Sequence, residues 1–371
     1  MAGRLPLDGL TVVAIEQAVA APFCSSRLAD AGARVNKVER PEGDFARGYD
    51  DVAPGKQSSY FVWLNRGKHS VVIDLATDAG KDELRTLVAQ ADVLIQNLKP
   101  GALDRLGFGV EDLCREYPRM IACSISGYGE TGPLANRKAY DLLIQAESGL
   151  SSITGGPEAP ARVGISLVDI ATGATAHAAI LEALIARGIN GRGADIRVSM
   201  FDVMADWLAV PLLHQEGGRA PKRIGLAHPS IAPYGVFATR ETKPILISIQ
   251  SDREWKKFCT VFLRDAGAAT DPRFATNVAR TKNRSETDAL VARVFVELGE
   301  DEAVARLTEA DVAFASVNDM AALAGHPHLR RISVKTPSGP VAFPAPAAIV
   351  RGDERHYGPV PALGASTGGS R

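Results

Sequence analysis

Two hydrophobic periods alternate along the first third of the chain. Short apolar or alternating runs are typical of strands, and apolar residues three to four apart are typical of helices. The first three such segments predict a strand, a helix and a strand at Thr11–Ile15, Ala21–Ala31 and Arg34–Val38. Gly32 follows the helical stretch, and glycine at this place commonly ends a helix. The pattern therefore predicts a βαβ unit.

The same alternation continues as far as residue 215. Further strands are predicted at Ser70–Leu75, Val93–Gln96, Ile121–Ile125 and Ala194–Met200. Further helices are predicted at Lys81–Gln90, Val110–Tyr117, Ile170–Arg187 and Phe201–Gln215. Strands separated by helices predict an α/β fold with a mainly parallel sheet that is covered on both faces.

The second half of the chain predicts a smaller α/β domain. Arg219–Pro233 is typical of a linker, and the strand pattern at Ile245–Ile249 is followed by helical stretches. We expect a large domain at residues 1–218, a small domain with its linker at 219–326, and a C-terminal segment at 327–371 that returns to the large domain. Strands are expected at Arg331–Thr336 and Val341–Pro344, and the Gly/Ser-rich tail from Gly364 is expected to be disordered.

Composition limits the partners and the compartment. A net charge of −1 gives no basic field for nucleic acid or an anionic membrane. The four cysteines form no CxxC pair and are expected to be reduced thiols. The N-terminus lacks a signal peptide pattern, and no stretch is expected to approach the ~20 apolar residues that span a bilayer. We therefore expect a cytoplasmic protein.

The motifs that are missing exclude several chemistries. The turn after the first strand, Glu16 to Pro22, contains no glycine, so it fails the dinucleotide-binding fingerprint. The sequence also lacks GxxxxGK[ST], GxSxG and HExxH. His326 and His328 form the closest histidine pair, and HPHL is more typical of a loop than of a metal site. We expect no metal and no tightly bound cofactor, so catalysis would use ordinary side chains.

Several ordered segments resemble the class III CoA-transferase (CaiB/BaiF, formyl-CoA transferase-like) family. They are LDGLTVVAIEQAVAAPFCSSRLADAGARVNKVERPEGD, NRGKHSVVIDL, NLKPGALDRLGFG, SISGYGETGP, AYDLLIQAESGL, RVGISLVDIATG, GRGADIRVSMFD and HPSIAPYGVF. The resemblance runs from about Leu5 to about Leu363. It implies an interlaced homodimer of ring-like chains, each with a Rossmann-like large domain and a smaller domain. Relatives usually continue past PALGAST into another short helix, which leaves the last dimer contacts open.

Asp169 admits two readings that are compatible with each other. It follows the alternating residues Val163, Ile165 and Leu167 and precedes the long helix, so it is a candidate helix N-cap. A carboxylate there would also be held ionised by the helix dipole, and an ionised carboxylate is a nucleophile toward a thioester. The resemblance implies that Asp169 is the catalytic aspartate, which carries first the acyl group and then CoA.

Small residues and family positions complete the predicted site. Ala171, Thr172 and Gly173 are expected to leave room for the acyl group. The resemblance implies that CoA contacts nine residues: Val19, Ala20, Arg40, Ile73, Asn97, Leu98, Arg105, Lys138 and Tyr140. Arginine suits the phosphates because its planar fork donates two hydrogen bonds. Helix packing and solvated surface charge remain the alternatives for these residues.

The acids that exchange CoA are less defined. EQAVAAPF and GDFARGYD resemble members that act on C4–C5 dicarboxylates such as itaconate, mesaconate, citramalate or succinate. Arg47 is our candidate cation for a second carboxylate, with a surface arginine as the alternative. One rival function is a 2-methylacyl-CoA racemase, whose His-Asp pair is here Tyr140-Asp141, and tyrosine is a poor base near pH 7. Another is a CoA-binding protein without catalysis.

Overall fold

The larger of two compact units contains a parallel sheet of six strands. The computed structural model describes residues 5–352 and 355–367. The strands are β1 (Thr11–Ile15), β2 (Arg34–Glu39), β3 (Lys68–Val72), β4 (Val93–Gln96), β5 (Ile121–Ser126) and β6 (Ala194–Ser199). Their order is β3-β2-β1-β4-β5-β6, and every neighbouring pair is parallel. The predicted α/β class with a parallel sheet is confirmed.

Helices cover both faces of this sheet. They are α1 (Ala20–Asp30), α2 (Ser59–Leu64), α3 (Asp78–Val88), α4 (Ala102–Arg105), α5 (Val110–Glu116), α6 (Asp141–Glu147), α8 (Leu167–Asn190) and α9 (Met200–Trp207), whereas α7 (Leu150–Ile153) and α10 (Ala209–Glu216) fall mostly in the smaller unit. Successive side chains of a strand point to opposite faces. Val12 and Ala14 of β1 therefore enter the core with α1 and α8, whereas Val13 and Ile15 enter the core with α3.

The smaller unit has its own sheet and core. Its strands β7 (Tyr234–Ala238), β8 (Pro244–Ser248) and β9 (Ala313–Ser316) are antiparallel in the order β7-β8-β9. Its helices are α11 (Asp252–Phe258), α12 (Asn277–Lys282), α13 (Arg284–Phe295), α14 (Glu300–Ala310) and α15 (Met320–Ala324). The rings of Phe258 and Phe262 stack in the core, and the ring of Phe295 packs against Phe262 at a tilt of 41°. The smaller unit thus buries an apolar core of its own.

The two units are interleaved along the chain. The larger one combines the residues up to Leu150 with Arg162–Val210 and the residues from Arg330, and the smaller one combines Ser151–Ala161 with Pro211–Leu329. The domain boundaries that we expected after residues 218 and 326 differ from this division and stay predictions.

The C-terminal segment forms a hairpin and then a strap along β3. The hairpin strands β10 (Arg331–Thr336) and β11 (Gly339–Pro344) are antiparallel. The amide of Ser366 donates to the carbonyl of Ser70 at 2.9 Å, and the amide of Val72 donates to the Thr367 hydroxyl at 2.9 Å. The expected disorder is therefore wrong for residues 364–367, because β3 offers them unpaired backbone groups. Residues 368–371 lie outside the described part of the chain.

The segment before Asp169 is not extended in the expected way. Val163, Ile165 and Leu167 alternate in sequence, yet α8 begins at Leu167 and the preceding residues join no sheet. The amide of Val163 donates to the side chain of Gln145 instead of to a neighbouring strand. The stretch predicted as one helix at Phe201–Gln215 is divided into α9 and α10.

Helix α8 is longer and more apolar than expected. Its 24 residues have a mean hydropathy of 1.3 over an 18-residue window, so its length and composition would allow it to cross a membrane. The expectation that no stretch approaches this length was wrong. Core helices of globular proteins meet the same criterion, and α8 packs against α1, β5 and β6 in the larger unit.

Gly173 allows α8 to approach α1 closely. A Cβ atom added at Gly173 would lie 2.4 Å from the carbonyl oxygen of Ala20 and 2.9 Å from the Cβ of Phe23. Ala171 and Thr172 are fully buried in the larger unit. Gly173 therefore makes room for α1, and none of the three residues lines the cavity at Asp169, so their role in making room for an acyl group stays a prediction.

We predict that Gly173→Ala destabilises the protein by about 1–3 kcal/mol, because the added methyl group forces the two helices apart. Gly188→Ala is the matched control on the same helix, where an added Cβ meets no atom within 4 Å. The control should be neutral or stabilise by up to about 1 kcal/mol through helix propensity. Urea unfolding measures both, and equal effects would contradict the close-packing role of Gly173.

Candidate active site

Two cavities open at the carboxyl ends of the parallel strands. The strand order reverses between β1 and β4, and ligands of open parallel sheets bind at such a point. The Asp169 cavity, of about 460 Å³, is lined by Asp169 and by the loops after β1, β4 and β5. The Arg40 cavity, of about 470 Å³, is lined by Arg40 and by the loops after β1, β3 and β4. Gln17, Leu98 and Lys99 line both cavities, so the two adjoin there.

Every residue expected to contact CoA lines one of these cavities. The Asp169 cavity has Val19, Ala20, Asn97, Leu98, Lys138 and Tyr140. The Arg40 cavity has Arg40, Ile73, Leu98 and Arg105. The fold thus brings together residues from distant parts of the sequence, and their contact with CoA stays a prediction.

The turn from Gln17 to Ala18 separates the two cavities and is held from both sides. The Asn97 side chain accepts a hydrogen bond from the Gln17 amide at 3.0 Å and donates one to the Gln17 carbonyl at 2.8 Å. Ala18 has a φ of 64°, a left-handed conformation that costs roughly 1–3 kcal/mol for such a residue. Asp44 accepts the Ala18 amide at 3.2 Å. Asn97, expected only as a CoA contact, therefore also positions this turn.

A buried set of charges lies beneath the turn. Lys37 Nζ is 2.8 Å from Asp44 Oδ2, and Lys68 Nζ is 2.7 Å from Glu16 Oε1. The four side chains are buried, and the Ser25 hydroxyl donates to Glu16 at 2.6 Å. Burial lowers the pKa of Lys68 to about 8, against the attraction of Glu16. Buried charges are tolerated only when they are paired, so each member of this set requires the others.

Arg47 belongs to the edge of the same set. Its guanidinium donates two hydrogen bonds to Glu39, at 2.8 and 2.7 Å, and stacks on the Phe61 ring at 3.7 Å. Burial opposes ionisation of Glu39, but the Arg47 hydrogen bonds and the charge of Lys37 outweigh it and lower the pKa of Glu39 to about 2. Binding of a substrate carboxylate by Arg47 stays a prediction and would require it to share its donors with Glu39.

Asp169 occupies the first turn of α8 and faces the cavity that bears its name. The N-cap is Ser166, so the expectation that Asp169 caps the helix was wrong. Burial and then the charge of Asp141 raise the pKa of Asp169 to about 7. The expectation that the helix dipole holds Asp169 ionised is also wrong, since its pKa is raised and the Val168 amide donates to Asp141 at 2.7 Å.

The sequence analysis missed several residues of the Asp169 cavity. Phe45, Tyr49 and Tyr60 form an aromatic wall with centroid distances of 5.6 and 5.5 Å. Burial, with the charges of Asp44 and Asp169, raises the pKa of Tyr49 to about 12, so its hydroxyl keeps its proton. Arg162 also lines this cavity. Phe45 and Tyr49 both lie within the GDFARGYD segment that the sequence analysis singled out, but no local pattern there indicates an aromatic wall.

The geometry suits a long ligand with a charged end and a reactive end. Lys99 and Arg105 line the Arg40 cavity beside Arg40, where phosphates would find cations. Asp169 lies in the adjoining cavity, where a reactive group could meet its carboxylate. Within residues 5–352 and 355–367, no cluster of three or more His, Cys, Asp or Glu side chains could hold a metal ion.

Comparison with known proteins gives consistent matches. The family model described as CoA-transferase family III matches residues 7–367. The acetyl-CoA:oxalate CoA-transferase of Acetobacter aceti is 39% identical over 362 residues, 95% of this chain and 92% of that protein. The succinate–glutarate CoA-transferase of Agrobacterium fabrum is 38% identical over 296 residues, 77% of this chain and 74% of that protein. A solved CAIB/BAIF family protein from Brucella suis is 35% identical with a TM-score of 0.83, covering 98% of both chains. These matches confirm the resemblance.

We predict that Lys37→Met destabilises the protein by about 3–5 kcal/mol, because it leaves the buried Asp44 without its counter-charge and Glu16 with Lys68 alone. Lys81→Met is the matched control, since Lys81 pairs with the exposed Asp78 on α3, and its substitution should cost less than about 0.5 kcal/mol. Urea unfolding compares the two. Equal costs would show that the buried charges do not hold the structure together.

Proposed function

The chain belongs to CoA-transferase family III and transfers CoA between carboxylic acids, and we propose that Asp169 carries the acyl group and then CoA during this transfer. The observation that supports this role most is the place of Asp169. It is a half-buried carboxylate in a cavity of about 460 Å³, next to a second cavity that is lined by three cations. Phosphates of CoA in the Arg40 cavity would leave the pantetheine arm to pass Leu98 toward Asp169.

The proposed transfer consists of four substitutions. An oxygen of Asp169 attacks the thioester carbonyl, the C–S bond breaks, and CoA leaves as a thiolate from a mixed anhydride. The thiolate attacks the Asp169 carbonyl carbon, the donor acid leaves as a carboxylate, and Asp169 holds CoA as a thioester. The acceptor carboxylate attacks this thioester, which releases the thiolate and forms a second anhydride. The thiolate then attacks the acceptor acyl carbon and frees the Asp169 carboxylate.

The raised pKa of Asp169 fits both halves of this cycle. At a pKa of about 7 the carboxylate is ionised in about half of the molecules at neutral pH. A carboxylate with a higher pKa is a stronger nucleophile and forms a less activated acyl derivative. The same half-buried site excludes water that would hydrolyse the anhydrides.

We propose a small dicarboxylic acid as one of the two acids. The relatives from Acetobacter and Agrobacterium are named for oxalate and for succinate and glutarate, which are dicarboxylates. The C4–C5 range inferred from the sequence lies within this class. Arg47 was our candidate for the second carboxylate, but its donors face Glu39. Arg162 lines the Asp169 cavity and its Nε donates only to the neighbouring Val163 carbonyl among the bonds of the described chain, so we propose Arg162 first.

The homodimer and the cytoplasmic location remain proposals. Exposed apolar side chains on the larger unit support a second copy, since Ile185 is 68% and Ile189 is 84% exposed at the end of α8. A 2-methylacyl-CoA racemase would exchange the α-proton in deuterated water without an acceptor acid. A binding protein without catalysis would bind CoA and form no adduct.

We predict that Asp169→Asn lowers transfer by at least about 10³-fold and changes CoA affinity by less than about threefold, because an amide is not a nucleophile. Hydroxylamine trapping followed by mass spectrometry should give a hydroxamate at residue 169 in the wild type only. Asp206→Asn, an exposed carboxylate on α9, is the control and should keep full activity. Full transfer by Asp169→Asn would exclude Asp169 as the acyl carrier.

We predict that Arg162→Gln lowers kcat/KM for a dicarboxylate acceptor by about 10- to 100-fold, because a charge-assisted hydrogen bond is lost. The value for a monocarboxylate of equal length should change by less than about threefold by the same reasoning. Arg192→Gln, an exposed arginine outside both cavities, is the control, and Arg47→Gln tests the competing assignment. A loss that is equal for both acceptors would rule out recognition of the second carboxylate by Arg162.

A further inference from the structure

Two buried side chains of α6 hold the segment that carries Asp169. Asp141 and Gln145 lie one helical turn apart, and both are buried. Gln145 Nε2 donates to Asp141 Oδ2 at 2.7 Å, so the two side chains form one unit. No cation pairs with Asp141 among the salt bridges of the described chain, and its partners are all N–H groups.

Asp141 and Gln145 accept backbone hydrogen bonds from both ends of the segment from Val163 to Asp169. Asp141 Oδ1 accepts the Val168 amide at 2.7 Å and the Asp169 amide at 3.4 Å. Gln145 Oε1 accepts the Val163 amide at 2.9 Å. The Ser166 side chain makes no cap bond, so Asp141 supplies the acceptor that the first turn of α8 would otherwise lack.

We propose that Asp141, with Gln145, is a positioning residue for Asp169: it fixes the backbone of the first turn of α8 and sets a negative charge next to the Asp169 carboxylate. This inference rests on the proposed function of Asp169. It extends that function, because it assigns the orientation and the proton affinity of the nucleophile to a second carboxylate on another helix.

The surroundings of Asp169 support an electrostatic part of this role. Its pKa is raised by burial and then by Asp141. The other titratable groups that line the cavity are the tyrosines and cations of its walls and mouth: Tyr49, Tyr60, Tyr140, Lys99, Arg137, Lys138 and Arg162. The four cations are exposed, and Arg137 pairs with Glu147. Among these charged groups, buried Asp141 is the one whose charge raises the pKa of Asp169.

Two substitutions separate the effect of the Asp141 charge from the effect of the hydrogen bonds that hold the backbone of residues 163–169. Asp141→Asn removes the charge and keeps an oxygen that can accept the Val168 amide, while its amide nitrogen no longer accepts from Gln145 Nε2. Gln145→Met keeps the charge and removes the hold on Val163. We expect Asp141→Asn to move the midpoint of the pH–rate profile, in which transfer rises through about pH 7, down by about one unit. Gln145→Met should lower kcat about tenfold and leave the midpoint in place. Glu182→Gln, an exposed carboxylate on α8, is the control.

A second readout needs no turnover. The pKa of Asp169 is raised from 3.8 to about 7, so the wild type loses stability as the pH rises between these values. The difference in Tm between Asp169→Asn and the wild type should therefore grow over this window and level off near pH 7. In the Asp141→Asn background it should level off about one unit lower.

The outcomes distinguish a failure of the positioning role of Asp141 from a failure of the proposed function of Asp169. If no variant, the wild type included, transfers CoA or forms an adduct at Asp169, the proposed function fails, and the Tm series still tests Asp141. An unchanged levelling-off pH in the Asp141→Asn background overturns the electrostatic role. A Gln145→Met variant that folds and keeps full kcat overturns the positioning role.

Discussion

The buried charges beneath the turn from Gln17 to Ala18 are the constraint on which the site depends. Lys37 on β2 and Lys68 after the next crossover compensate Glu16 and Asp44 at full burial. Asp44 also accepts a hydrogen bond from the Ala18 amide, and this bond links the buried charges to the turn. Because an unpaired charge would be costly here, the pairing of these four side chains favours the strand register that puts the turn in place. The junction between the two cavities is thereby fixed by interactions that no ligand has to supply.

The second half of the site is ordered by the same kind of interaction. Asp141 holds the start of α8 as Asp44 holds the turn, with a buried carboxylate that accepts backbone amides. In both places a carboxylate from one element fixes the backbone of another. Asp169 differs from both because no amide within residues 5–352 and 355–367 donates to its carboxylate, and its pKa is raised instead of lowered.

Local patterns predicted the sheet, and long-range contacts limited the rest. The strands at Thr11–Ile15 and Val93–Gln96 were predicted to the residue, because strand and helix periods alternate clearly there. The role of Asp169 as a helix cap was predicted wrongly, since Asp141 lies 28 residues away and has no local signature. Arg47 was assigned to substrate because its charge is visible in sequence, whereas its pairing with Glu39 depends on the fold. Family resemblance located the cavity-lining residues, which periodicity alone does not reveal.

The strap formed by residues 364–367 also covers part of the edge strand β3. Strand β3 ends the sheet, and an unpaired edge strand is a template for pairing with other chains. Ser366 and Thr367 occupy backbone groups of Ser70 and Val72 that would otherwise be open to such pairing. Residues 364–367 therefore cover part of an edge at which other chains could pair. During synthesis this edge stays bare until residues 364–367 have left the ribosome, so β3 remains open to pairing with other chains after the rest of the sheet has been made.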